Sequence, residues 1–424
     1  MKRIFATYDI ETPVGLVHAA DVLAGEQSTG TFVRLAAETD EFREKSGARV
    51  EQIIQTSTAK EPSLPSRKTG GTYERGLVTI SWPLGNLGTS LPNLLSTLAG
   101  NLFELAQLSA IRLVNIDLPA DFANQNPGPQ FGAAGTRNFM KGHKGPLIGT
   151  IIKPSVGYTP SETASLVKTL VEAGIDFIKD DELQANGPNC PFNERLEAVM
   201  RVINDYRDKT GKQVLYAVNI TDEIDQMWRN LDAMKNVEAT CAMVCVQSVG
   251  LTGLRAVRDR SEVLIHGHRA GWGLMSRSPD IGISFDVMQK LWRLAGADHL
   301  HVNGLANKFT ESDDVVAHAA RSVQQPISNN GGPEHLAMPV YSSGQTIWQL
   351  DPAREILGND DFIYCVGGGI MSHPGGAADG VTSLRDAAEA ARLGIPLEQY
   401  AKPNTPLHAA IANFPKPKIA GPFT

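Results

Sequence analysis

The sequence predicts an α/β protein, a C-terminal (β/α)8 TIM barrel preceded by a small ferredoxin-like α+β domain. Three observations predict it. From about residue 147 onward, eight short apolar runs alternate with amphipathic segments, over roughly the 250 residues such a barrel needs. Polar or charged residues follow nearly every run, as expected where strand ends build a site. Residues 1 to about 125 lack that alternation and order their segments differently.

In the first domain, residues 1–125, MKRIFATYDI reads as a strand and PVGLVHAADVLAG as a helix. Further strands are expected near 49–57 and 74–82, a helix near 91–106, and a last strand at IRLVNIDLP. That order suits an antiparallel sheet with helices on one face. The Gly-, Asn- and Pro-rich FANQNPGPQFGAAGTRNF reads as a linker. The second domain, 126–424, carries strand-like runs at Leu147–Ile152, Ile175–Ile178, Val214–Val218, Ala242–Val246, Val263–His266, His299–Val302, Met338–Tyr341 and Phe362–Val366. Segments such as SETASLVKTLVEAG, NERLEAVMRVINDYRDKTG and SFDVMQKLWRLAGA supply the helices between them. A doubly wound open sheet uses the same alternation, but eight units favour closure.

The bulk properties narrow the function. A net charge of −7 with no long basic run argues against nucleic acid or an anionic membrane as partner. No stretch of about 18 apolar residues predicts a membrane span. Acids at Asp9 and Glu11 interrupt the N-terminus, so it does not read as a signal peptide. Four cysteines without metal-type spacing are expected as reduced thiols in a cytoplasmic protein.

Reading the strand ends gives Lys153 after the first strand and Lys179, Asp181 and Glu182 after the second. Asn219 follows the third, Gln247 the fourth, and His266, His268 and Arg269 the fifth. His301, Asn303 and Lys308 come with the sixth, Ser342 and Ser343 with the seventh, Gly367–Gly369 with the eighth. Any one of these could be a capped loop or a satisfied core histidine. Together they describe a site rich in cations, with a few acids and amides. The glycines of VGGGIMSHPGG offer backbone N–H groups for a phosphate, where barrels commonly bind one.

The stretch IKDDE could be a solvated turn. Placed after the second strand, Asp181 and Glu182 are instead hard oxygen donors suited to Mg2+. Lys179 beside them is either a protonated ion-pair partner or, after reaction with CO2, a carbamate that adds a third anionic oxygen donor. Charge arguments alone do not choose between the two.

These residues carry a resemblance. GTIIKPSVG, GIDFIKDDE, HGHRA, ADHLHVNG, the lysine of NGLANKF, SSG and CVGGG resemble, in order and spacing, motifs of the ribulose bisphosphate carboxylase/oxygenase large subunit. GEQSTGTF and TLAGNLFE resemble its segments that reach into a partner's site. The chain is most similar to the non-carboxylating, form IV RuBisCO-like branch. The resemblance implies Lys179 as the carbamylated ligand, with Asp181 and Glu182 completing the Mg2+ set. It implies Lys153 as the acid/base lysine, with His268 and Lys308 also catalytic. Arg269, His301, Ser343 and Gly344 would hold one part of the substrate, and Gly367 and Gly368, with Thr31 and Lys308, a phosphate. Glu26, Thr31 and Asn101 would come from the neighbouring subunit of a homodimer.

Departures from the family are as informative. Ser155 stands where the carboxylase has a second lysine, Trp272 where it has a histidine, Phe32 for a tryptophan and Gln345 for a glycine. Loss of two ionisable groups around the reacting centre argues against bisphosphate carboxylation. The cationic end at Arg269 and His301 would reward an anionic group over a thioether. The expectation is therefore a phosphorylated sugar acid of the 3-oxo-isoapionate 4-phosphate type, decarboxylated or transcarboxylated through an enediolate. The alternatives are a methylthio ketose phosphate enolase or isomerase, and a sensor that has lost turnover.

Overall fold

A computed structural model describes residues 2–30, 35–328 and 331–421. By contact the chain divides into two compact units. One is Met1–Pro127 with Gly271–Ala295 and Pro326–His335; the other is Gly128–Ala270 with Gly296–Gln325 and Leu336–Thr424.

The first unit holds β1 (Arg3–Thr12), β2 (Arg49–Ala59), β3 (Tyr73–Pro83) and β4 (Ala110–Asp117). They lie in the order β4-β1-β3-β2, antiparallel throughout. Helices Leu16–Glu26 and Leu91–Ala99 complete the βαββαβ pattern of a ferredoxin-like domain. The alternation in β1 is what sides the sheet: Ile4, Ala6, Tyr8 and Ile10 are buried, with partly exposed residues between them.

The second unit holds β5 (Leu147–Ile151), β6 (Phe177–Lys179), β7 (Leu215–Asn219), β8 (Cys241–Cys245) and β9 (Leu264–His268). The next strand, β10 (Ile281–Ile283), instead joins the first unit's sheet, parallel to β4. With β11 (His299–Asn303), β12 (Met338–Tyr341) and β13 (Ile363–Cys365) the eight strands close a parallel barrel, β13 pairing β5 and β9 pairing β11. Every barrel strand is buried along its whole length, which explains why most of these runs are apolar throughout, while β9 (LIHGH) and β11 (HLHVN) bury histidines as well. The barrel interior is filled by Leu147, Phe177, Leu215, Met243, Leu264, Val340 and Ile363 among others.

Two segments differ from expectation. The linker-like stretch contains helices Ala120–Asn124 and Gly132–Phe139. The second is a plug: Phe131, Ala133 and Phe139 pack on the barrel core, and Asp298 accepts the amides of Phe131 and Gly132 at 2.7 and 2.9 Å. The segment SFDVMQKLWRLAGA forms the helix Phe285–Ala295, which clusters with the first unit. Its Lys290 donates to Ile116 O of β4, and its Arg293 to His335 O, each at 2.7 Å. Sequence periodicity sees that a helix is amphipathic, not which sheet it covers. All four cysteines are buried and free. No helix among the described residues is long and apolar enough to cross a membrane.

Candidate active site

The ends of β5 and β6 bring the first two lysines together with the acids. Lys153 Nζ donates to Asp181 Oδ2 at 2.6 Å and to Ser155 Oγ at 2.7 Å. Ser155 thus accepts a hydrogen bond from the Lys153 amine. Gly367, after β13, lies against the same side chain: a Cβ there would stand 3.8 Å from Lys153 Cε. The β5, β6 and β13 ends therefore converge on Lys153.

The acids of IKDDE divide by the side they face. Asp180 is fully enclosed and saturated: Tyr216 donates at 2.6 Å, the Asn219 amide at 2.9 Å and Arg195 Nε at 3.2 Å. It anchors β6 to β7. Asp181 points the other way, to Lys153. Burial raises its pKa, but the Lys153 hydrogen bond, the Leu183 amide and the charges of Lys153 and Lys179 outweigh it. The net direction is down, so the carboxylate is ionised at neutral pH. Glu182 is half-exposed and lies 3.7 Å from His268 Nε2. Asn219 Nδ2 donates to the carbonyls of both Asp181 and Glu182, fixing the turn that presents them. Lys179 is buried, and its amine donates to the Asp180 carbonyl at 2.7 Å. Among the described residues no three His, Cys, Asp or Glu side chains gather as a metal site. Asp181 and Glu182 offer two oxygen donors, and a third would have to come from elsewhere.

Strands β9 and β11 carry a histidine cluster, His268 and His301 nearer their carboxyl ends than His266 and His299. The rings of His268 and His301 are 4.9 Å apart, and those of His266 and His299 are 6.0 Å apart. Burial lowers the pKa of each, for His299 to about 3, and the nearby positive charges of Lys179 or Arg269 add to it for His268 and His301. All four are neutral at pH 7. The Ala270 amide donates to His268 Nδ1 at 3.2 Å, which leaves its proton on Nε2, facing Glu182. His301 Nε2 bonds Ser342 Oγ, which stands 3.5 Å from Ser343 Oγ.

Arg269 is not the bare cation the sequence suggests. Glu311 Oε2 and Oε1 accept from its two terminal nitrogens at 2.5 and 3.2 Å, and Asn303 Nδ2 adds a bond to Glu311 at 2.8 Å. Sequence reasoning missed Glu311 because it sits in TESDD, which reads as the acidic start of a helix. It also missed Asp180, although strand alternation signals that it faces away from Lys179.

The remaining expected residues are spread along two loops and the first unit. Lys308 is exposed, its Nζ 5.2 Å from the Phe309 ring centroid. Gly344 takes a φ of 81°, and a Cβ there would stand 3.5 Å from the Lys308 amide nitrogen. Gln345 does not project toward the site's glycines. Its side chain is buried and donates to Leu305 O at 2.9 Å and Ser343 O at 3.2 Å, tying the β11 and β12 loops together. Gly304 must lack a side chain there, since a Cβ would fall 2.3 Å from the Gln345 amide group. Gly368 opens the short helix Gly368–Met371. Within the first unit, Glu26 and Asn101 are exposed, and their segments meet where Gly100 packs on the Gln27 side chain. Thr31 and Phe32 lie outside the described residues.

Residues 132–414 match the model of the ribulose bisphosphate carboxylase large chain, catalytic domain, and residues 2–122 that of its N-terminal domain. The chain is 50% identical over 410 residues to a 3-oxo-isoapionate-4-phosphate transcarboxylase/hydrolase of Xanthobacter autotrophicus, covering 97% of this chain and 99% of that one. It is 40% identical over 413 residues to a 3-oxo-isoapionate-4-phosphate decarboxylase of Rhizobium etli, covering 97% and 98%. A crystal structure of a rubisco-like protein from Burkholderia fungorum superposes with a TM-score of 0.91 at 39% identity, covering 98% of this chain and all of that one.

Proposed function

The chain belongs to the ribulose bisphosphate carboxylase large-chain family, and on that premise we propose that it acts on 3-oxo-isoapionate 4-phosphate, removing or moving its carboxyl group through an enediolate. The observation that carries this reading is the Lys153 ammonium, held between Asp181 and Ser155 at 2.6 and 2.7 Å. In a β-oxo acid, the bond to the carboxyl group breaks and its electron pair passes to the neighbouring carbon and oxo group. Lys153 is a positioned acid that returns a proton to that carbon. Ser155 keeps the lysine oriented without adding a second ammonium.

Mg2+ fits the donor set. Asp181 is held ionised, Glu182 is half-exposed, and the buried Lys179 amine, bonded to a carbonyl, can take up CO2 with release of a proton. Asp181, Glu182 and the Lys179 carbamate would hold the ion. When bound it supplies positive charge that stabilises an oxyanion. Neutral His268, with its proton on Nε2, is a hydrogen-bond donor beside Glu182. His301, Ser343 and Gly344 bind hydroxyl-bearing parts of the substrate, with Arg269 beside them, and Gly367, Gly368 and Lys308, with Thr31, take the phosphate. Glu26, Thr31 and Asn101 complete a neighbour's site in a homodimer. Such polar surroundings give a thioether nothing to bind.

The test uses substrate labelled with 13C at the carboxyl carbon, with Mg2+ and bicarbonate, followed by 13C NMR. Label in bicarbonate means decarboxylation, and label in a product acid means transfer with hydrolysis. Unchanged substrate, or solvent deuterium entering a methylthio ketose phosphate instead, would sink the proposal.

A further inference from the structure

We propose that Glu311 is a specificity determinant: its carboxylate occupies the Arg269 guanidinium from within the chain and keeps a second phosphate out of the site. The inference rests on the reading above that the β5, β6, β9 and β11 ends form the active site.

The ion pair is built rather than casual. Arg269 is 7% exposed and Glu311 16%, with the two bonds arranged side by side. Glu311 is held independently by Asn303 Nδ2 at 2.8 Å, and Asn303 takes a positive φ of 76° at the end of β11. Asn307 braces the loop beneath, its Nδ2 donating to Gly304 O at 2.9 Å and Glu311 O at 3.1 Å. Ser312 follows at once as the N-cap of helix Asp313–Val323, so Glu311 sits at the anchored end of its loop.

The charge balance sets what this end accepts. Arg269 and Glu311 cancel, and burial keeps His301 neutral. A phosphate dianion arriving here would have to displace a buried carboxylate or lie beside it, and like charges brought together without solvent are strongly disfavoured. A hydroxyl group can bond His301, Ser342 or Ser343 with the pair intact. Discrimination by a built-in repulsive group is a common way to reject a close analogue. A substrate with one phosphate and a hydroxylated far end passes; a sugar bisphosphate does not.

Two ligands that differ by one phosphate test this, ribulose 5-phosphate and ribulose 1,5-bisphosphate, titrated calorimetrically with Mg2+ and bicarbonate present. The unsubstituted protein should bind the bisphosphate no more tightly than the monophosphate. Glu311→Gln should bind the bisphosphate at least about tenfold more tightly than the parent, with the monophosphate changed by less than about twofold. Glu311→Asp, which keeps the charge, should show no such gain. No gain in Glu311→Gln, an equal gain for both ligands, or a parent that already prefers the bisphosphate would overturn the proposal. The parent's preference decides the matter alone if the Gln variant does not fold. Because binding rather than turnover is read, a protein inactive on the oxo-sugar acid would still report on Glu311.

Discussion

The two ends of the barrel each pair an aspartate with a cationic side chain, for opposite purposes. At the plugged end, Asp298 accepts from the amides of Phe131, Gly132 and Ile265 and from Arg258, and both partners are fully enclosed. Every acceptor position is taken by something that does not move, so the pair is structure. At the other end, Asp181 meets Lys153, whose side chain is 37% exposed, while among the described residues His301 Nδ1, Asn303 Oδ1 and Gln345 Oε1 are buried without a hydrogen-bond partner. Buried polar atoms are mostly satisfied, and an unsatisfied one calls for an explanation, a bound water or ligand among them. The difference teaches that a carboxylate–cation pair is diagnostic only through its saturation.

The comparison breaks most visibly at Lys153. Lys153→Met should lower kcat on the oxo-sugar acid phosphate by about 10²–10⁴-fold, the usual worth of a positioned acid, with the thermal midpoint nearly unchanged. Asp298→Ala should do the reverse. Leaving Arg258 buried without its partner should cost about 3–5 kcal/mol, read by urea unfolding, while folded protein keeps its kcat.

Proton linkage sharpens the contrast. The pKa of Asp181 is lower in the folded chain than in the unfolded one, so folding binds fewer protons and the carboxylate contributes stability above about pH 4. That contribution is lost as pH falls below about 4 through the folded value. With chelator present, the stability gap between the parent and Asp181→Asn should be flat from pH 7 to 5 and shrink at pH 3. A gap that widens toward pH 3 would contradict it. The smallest effect is expected from Ser155→Ala, which removes one hydrogen bond of about 1 kcal/mol from Lys153. A loss in kcat of less than about tenfold, with an unfolding free energy lower by no more than about 1 kcal/mol, is the expected result.

Much of this was legible in the chain. Eight apolar runs placed all eight barrel strands within a few residues, because strands buried on both faces are mostly apolar. Lys153, Asp181, Glu182, His268 and His301 were legible as strand-end residues, and the barrel brings them to one end. Gln345 was legible as a departure but not in its effect, since which way a loop side chain turns depends on a carbonyl forty residues earlier, Leu305 O. Glu311 was invisible for the same reason, its partners Arg269 and Asn303 lying at the ends of two different strands.

The sequence by itself determined the order of the main elements and the residue types at each strand end, and favoured a closed barrel, because periodicity and composition are local properties of a chain. Only the tertiary structure decided which of two adjacent acids is saturated and which faces Lys153. It alone joined the helix Phe285–Ala295 to β4 and set Glu311 against Arg269. Those outcomes depend on hydrogen-bond partners and charges supplied from distant segments, and pairing of that kind is made only when the chain has folded.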